Sequence, residues 1–137
     1  MIIIKKSNNI DDYILTTQEA LKTFTGVENT KSMIVLNPAK PPIIMHNTLY
    51  VEAENPDIDV ISKAVFEMEQ KVREYVPGFR VIVKPTLLRD NIIVVSAQVE
   101  GSGDYLPKYA GNLDIITCAA IEIAEQYAKW EIEDIEC

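Results

Sequence analysis

Side chains for metal and redox chemistry are scarce in this 137-residue chain, which has one histidine, two cysteines (Cys118 and Cys137) and no CxxC pair. That excludes a disulfide framework, leaves too few ligands for a structural zinc site, and agrees with a reducing, cytoplasmic setting. Positive charge is also short: 13 Lys and Arg stand against 21 Asp and Glu, a net charge of −8, and no basic run exceeds Lys5-Lys6. Nucleic acid and anionic membrane surfaces both need a basic face to displace counterions, so neither is an expected partner. Long apolar runs are missing as well. Ile92 to Val95 is far too short to span a bilayer, and Met1 to Lys6 is too short and wrongly flanked for a secretory signal. Internal repeats and low-complexity stretches are absent.

What is present suits one globular domain over residues 1–137. Hydrophobic residues make up 47% of the chain, enough to bury roughly two-thirds of the unfolded surface. Met1 leads into a β-branched run, Ile2 to Ile4, which reads as a first strand and suggests a natural start. Asn9 can cap a helix from about Ile10 to Thr25, with Asp11 and Asp12 facing the positive end, Ile10, Ile14, Thr17, Leu21 and Phe24 as its stripe, and Gly26 as C-cap. Met33 to Leu36 reads as a strand buried on both faces. Pro38, Pro41 and Pro42 cannot donate to a ladder and mark an extended turn at the sheet edge. Thr48 to Ala53 alternates apolar and polar residues, the pattern of a half-buried strand.

Asn55-Pro56-Asp57 provides a cap, a proline and an acid for a second helix. Its stripe is Ile58, Ile61, Val65, Met68, Val72 and Val76, and Pro77-Gly78 stops it. Phe79 to Val83 and Asn91 to Val99 form an antiparallel hairpin joined through Leu87 to Asn91. A third helix starts at Asn112 with Asp114 in its first turn. The stripe Leu113, Ile116, Ala120, Ile123, Tyr127 and Trp130 is expected to face the sheet, yet Ile115, Cys118, Ala119 and Ile121 make the other sides apolar too. A helix apolar all round needs a second cover, which predicts a homodimer through this helix. Glu131 to Glu136 reads as part of a solvated acidic tail, residues 131–137. The fold class is α+β, with three helices on one face of a mainly antiparallel or mixed sheet.

The stretch from Tyr105 to Glu125, a polar glycine-containing turn opening into an apolar helix, is the main candidate site. Its phrase Tyr105-Leu-Pro-Lys-Tyr-Ala-Gly-Asn-Leu-Asp-Ile115 also carries a resemblance. Together with Ile34 to Met45, Thr48 to Val51, Tyr75 to Arg80 and Val99-Glu-Gly101, it is similar to the C-terminal half of acylating acetaldehyde dehydrogenases, from about Ile3 to Ala128. The resemblance implies a family that converts acetaldehyde, NAD and coenzyme A to acetyl-CoA. It also implies an N-terminal Rossmann domain joined to an α+β domain like that of glyceraldehyde-3-phosphate-dehydrogenase-type enzymes, a dimer interface on that second domain, and assembly with an aldolase. In this chain it implies the second domain standing alone.

The departures from the family are specific. The dinucleotide fingerprint and nucleophilic cysteine have no counterpart, so neither thiohemiacetal nor hydride chemistry is expected here, and no NAD or coenzyme A site in this chain alone. The glycine-rich loop after the first strand is missing, and a long family excursion shrinks to a few residues around Arg89-Asp90. Where the resemblance places an Arg-Asp pair, this chain has His46-Asn47. An amide cannot take a proton at neutral pH, so Asn47 could orient a group but not act as base, while the imidazole of His46 could substitute. Cys118, more than a turn inside the helix, reads as a packing thiol. Tyr109, Gly111, Asn112 and Leu113 are the residues the resemblance places toward substrate and cofactor; a plain N-cap role would explain Asn112 equally, and Tyr50, Tyr105 and Tyr109 suit packing as well as a pocket. Two functions remain open: a non-catalytic dimer-forming module, or a subunit that works only in trans with a Rossmann chain carrying NAD and the cysteine.

Overall fold

In the computed structural model the backbone is described for residues 8–135 and the side chains for residues 10–132. The chain divides into two compact units, residues 1–38 and 39–137.

In the first unit α1 spans Asn8–Thr25. It starts earlier than Asn9 would allow as a cap, so Asn9 lies inside the helix. Gly26 ends it as expected, with φ +71 and its N–H donating to the Lys22 carbonyl at 2.9 Å. Only a residue tolerant of left-handed backbone closes a helix this way at little cost. Thr30 then folds the chain back, its hydroxyl donating to the Gln18 carbonyl at 3.2 Å. The expected strand Ile2 to Ile4 lies outside the described residues.

Met33 to Leu36 is not a strand. The segment is irregular, with Met33 at 78% and Val35 at 75% exposure. A four-residue apolar run has no period that distinguishes a buried strand from an irregular segment.

The second unit is built on a three-stranded antiparallel sheet, order β1-β3-β2, from β1 (His46–Glu52), β2 (Phe79–Arg89) and β3 (Ile92–Val99). The hairpin is tighter than expected: β2 runs on to Arg89, and only Asp90 and Asn91 make the turn. Pro85 sits within the longer strand, and the register slips between Val83 and Thr86, where its missing N–H interrupts the ladder. β1 pairs with β3 without interruption. The buried Ser96 on β3 shares a 2.7 Å hydrogen bond with its cross-strand partner Thr48. The alternation in β1 predicts a half-buried strand, yet all its residues are exposed. It is an edge strand, and the contacts of α2 and α3 go to β2 and β3.

The second helix, α2, covers Ile58–Tyr75, and its cap is Asp57 rather than Asn55. One Asp57 carboxylate oxygen accepts from the Asp59 and Val60 N–H groups at 3.1 Å, while Asn55 turns the preceding chain with φ 47. Ile58, Ile61, Val65 and Val72 face inward as expected, and Val76 is buried just beyond the helix. Met68 faces out, 58% exposed. Its neighbour Glu69 turns in instead and accepts from the Val81 N–H at 2.8 Å, satisfying an edge donor of β2. The small core gathers on Val76, Ile93 and Val99.

The third helix, α3, spans Gly111–Ile135. The acidic segment expected to be a solvated tail is therefore helical through Ile135. Its facing is also the reverse of the expectation: Leu113, Ile116, Ala120, Ile123, Tyr127 and Trp130 are exposed, while Asp114, Ile115, Cys118, Ala119 and Glu122 are half-buried. Among the described residues, three α-helices and one antiparallel sheet make the fold α+β. No helix among the described residues is long and apolar enough to cross a membrane.

Candidate functional site

β3 ends at Val99, and the chain from Glu100 to Ala110 loops to the start of α3. Backbone bonds fix the loop at both ends. Glu100 N–H donates to Gly78 at 3.0 Å, Gly101 N–H to Lys108 at 2.8 Å, and Ala110 N–H to Pro107 at 2.8 Å, within a single 3-10 turn (Lys108–Ala110). Gly103 sits at φ +86, a conformation that other residues rarely adopt.

Two contacts hold the start of α3 in place. Asp114 accepts from the Ser102 N–H at 2.8 Å, which sets the rotation of the helix and turns the Asp114, Ile115, Cys118 and Ala119 side inward. Gly111 lies so close to the Val99 carbonyl that a Cβ would collide with it.

Between this loop and the end of α2 lies an open groove of about 590 Å³, lined among others by Pro77, Arg80, Glu100, Lys108, Thr117 and Cys118. Lys108 Nζ lies 3.0 Å from Glu100 Oε1. The hydrogen bond and charge of Lys108 lower the Glu100 carboxyl below its usual value; partial burial opposes this, and Arg80 adds to it. Cys118 is a free, half-buried thiol.

The residues singled out in the sequence come together only in part. Tyr109, Gly111, Asn112 and Leu113 are consecutive with the start of α3. Gly111 is buried, Asn112 is exposed, and Tyr109 and Leu113 are 42% and 47% exposed. None of the four lines the groove. His46 and Asn47 open β1, opposite Gln98 and Ala97. The Val99 N–H donates to the Met45 carbonyl at 3.3 Å, so the antiparallel pairing puts them at the same end of the sheet as the loop. His46 is exposed, with Nδ1 3.5 Å from the Ile44 carbonyl.

Sequence reasoning missed Arg80, Lys108 and the anchoring role of Asp114. A charged residue directly at a strand end or in the first turn of a helix is the signal that points to each.

In the lining of the groove the carboxylates of Glu100, Asp104 and Asp114 stand beside the cations Arg80 and Lys108, and the Ser102 N–H is taken by Asp114.

Residues 5–107 match a family described as prokaryotic acetaldehyde dehydrogenase, dimerisation. The chain is 51% identical over 121 residues to the acetaldehyde dehydrogenase of Pectobacterium atrosepticum, 88% of this chain and 40% of that protein. It is 50% identical over the same length to that of Carboxydothermus hydrogenoformans, again 88% and 40%. With that of Geobacillus stearothermophilus the identity is 45% over 126 residues, 90% of this chain and 42% of the relative. The chain thus spans about two-fifths of the length of these relatives, and the dimerisation match stops at Pro107, short of α3. With three-quarters of its residues inside that match, the chain belongs to the prokaryotic acetaldehyde dehydrogenase dimerisation family.

Proposed function

We propose that this chain is the self-associating part of a coenzyme A-acylating acetaldehyde dehydrogenase, forms a cytoplasmic homodimer, and is inactive by itself. The observation that carries this reading is the match to a dimerisation family by a chain spanning two-fifths of its dehydrogenase relatives. Individual side chains support it. Asn47 stands where the resembling enzymes have a carboxylate, and an amide is no base. The thiol of Cys118 is half-buried where it borders the groove, on the inner side of α3.

A second reading, a subunit completed in trans by a Rossmann chain that brings NAD and the reactive cysteine, is favoured by one observation. The loop and helix start from Gly101 to Asp114 are held by specific hydrogen bonds beside an open groove.

The test is to mix the purified protein with acetaldehyde, NAD and coenzyme A and follow NADH. No turnover is expected from the chain alone. Turnover would overturn the inactive-alone reading, and turnover that appears only with an added Rossmann chain would establish the second. Size measurement in solution is expected to show a dimer.

A further inference from the structure

The two edges of the sheet are built differently. β2 carries the devices that keep a strand edge from pairing: Lys84 and Pro85 lie within it, its register against β3 slips, and the Glu69 carboxylate takes the Val81 N–H at 2.8 Å. β1 has none of them. It holds no lysine, arginine or proline, pairs with β3 without a bulge, and leaves Leu49, Tyr50 and Val51 exposed. An edge left unguarded in this way is a template for a further strand.

The register fixes which main-chain groups of β1 are free. The Ala53 N–H donates to the Asn91 carbonyl at 2.9 Å, and the Val99 N–H to the Met45 carbonyl at 3.3 Å. Odd-numbered residues along this strand therefore bond to β3, while His46, Thr48, Tyr50 and Glu52 turn their N–H and carbonyl groups outward. β1 has no second strand neighbour among the described residues.

These outward groups are self-complementary. When two copies of β1 run antiparallel about Leu49, His46 of each lies opposite Glu52 of the other and Thr48 opposite Tyr50, so every outward residue meets an outward residue, for about eight hydrogen bonds. The ends match in chemistry as well. One oxygen of Glu52 accepts from the Asn91 side chain at 2.7 Å, which leaves the other for the ring N–H of His46 in the second copy. Centred on Tyr50 instead, the pairing would carry His46 past the end of the strand and lose bonds. We infer that β1 pairs with β1 of a second copy across a two-fold axis at Leu49, joining two three-stranded sheets into one. This rests on the proposed reading of the chain as self-associating, and β1 lies inside the dimerisation match. The exposed apolar side of α3 is the rival surface, but its side chains fit any apolar partner, whereas the β1 edge selects its own sequence and register.

The test measures the dimer dissociation constant of the full chain by sedimentation, and disulfide trapping with a thiol oxidant in a Cys118→Ser, Cys137→Ser background. Tyr50→Pro removes an outward N–H and leaves the β3 ladder its bonds, so it is expected to weaken the dimer at least tenfold. Leu49→Cys is expected to link two copies readily, because the paired Cα atoms lie about 4.5 Å apart, within disulfide reach. Val51→Cys is expected not to link, since its counterpart is about 14 Å away. Should Tyr50→Pro fail to fold, the trapping pair decides alone. A wild-type dimer in which Leu49→Cys does not link, or in which Val51→Cys links equally well, would overturn the inference and leave the self-associating reading standing. So would a dimer that survives Tyr50→Pro but is dissociated by Ile123→Glu on α3. A chain that is monomeric before any substitution would overturn both.

Discussion

The two helices of the larger unit, α2 and α3, attach to the sheet in different ways. α2 turns one apolar stripe, Ile58, Ile61, Val65 and Val72, inward, while Val60, Phe66 and Met68 stay exposed among its polar residues. α3 has apolar residues on every side of its first half, so hydrophobic burial favours several rotations about equally. Its rotation is chosen instead by Asp114 on the Ser102 N–H and by Gly111 under the Val99 carbonyl. Where greasiness does not discriminate, one directional bond and one steric contact do. The consequence is functional: fastening α3 through its N-terminal polar side leaves its largest apolar side chains facing outward.

The strongest way to break this contrast is Gly111→Ala. In a helix with φ −58 at this position, alanine would ordinarily stabilise by about 1 kcal/mol. Here the added Cβ meets the Val99 backbone, and backbone cannot step aside as a side chain would. A net loss of about 3 kcal/mol is expected, read as a lower urea midpoint. Asp114→Ala comes next. It frees an exposed N–H that water can satisfy and removes a carboxylate from the positive end of α3, for a loss of about 1–2 kcal/mol. Asp114→Asn keeps an acceptor and is expected to recover part of it. Equal losses for Asn and Ala would mean that the Ser102 bond does not hold the helix.

These anchors explain what is legible in the sequence and what is not. Elements with a single period can be read: α2, its stop at Pro77-Gly78, the β2–β3 hairpin, and Gly26 closing α1. Met68 departs from its stripe because period alone cannot see that the Val81 N–H at the sheet edge attracts the Glu69 carboxylate inward. The inner face of α3 is not the one that carries its largest residues, because Asp114 turns the smaller Cys118 and Ala119 inward. Met33 to Leu36 and the burial of β1 escape sequence reading for a shared reason. A strand's environment depends on what lies beside it, and local composition does not encode that. At the site, the phrase from Tyr105 to Ile115 locates the loop, but the groove is lined by Arg80 from β2 together with Lys108 from the 3-10 turn, a pairing visible only after folding.

A paired truncation sharpens the comparison directly. Val65→Ala on the inner face of α2 is expected to cost about 1 kcal/mol, while Ile123→Ala on the outer face of α3, although it removes more carbon, stays within about 0.5 kcal/mol. Urea titration of both variants at one protein concentration decides it. A larger loss at Ile123 would mean that its side chain is already covered in the free protein.

The smallest effect lies in the strap between Lys108 and Glu100, which crosses from the α3 side of the loop to the end of β3. Both side chains are substantially exposed, so the pair is screened and Lys108→Met is expected to lower the melting temperature only slightly at neutral pH. Its pH dependence is nonetheless diagnostic. The folded Glu100 carboxyl titrates below its ordinary value of 4.5, chiefly because of Lys108. Stability from the pair is therefore fully present above that value and is lost as pH falls through the lower, folded one. Melting curves of the two proteins are expected to differ at pH 7 and to converge once the pH has fallen through the lowered Glu100 value, and about 1 M salt is expected to close the gap at neutral pH. A gap that widened toward acid would mean that Lys108 is not what holds Glu100 ionised, and the N-terminal fastening of α3 would then rest on Asp114 and Gly111 alone.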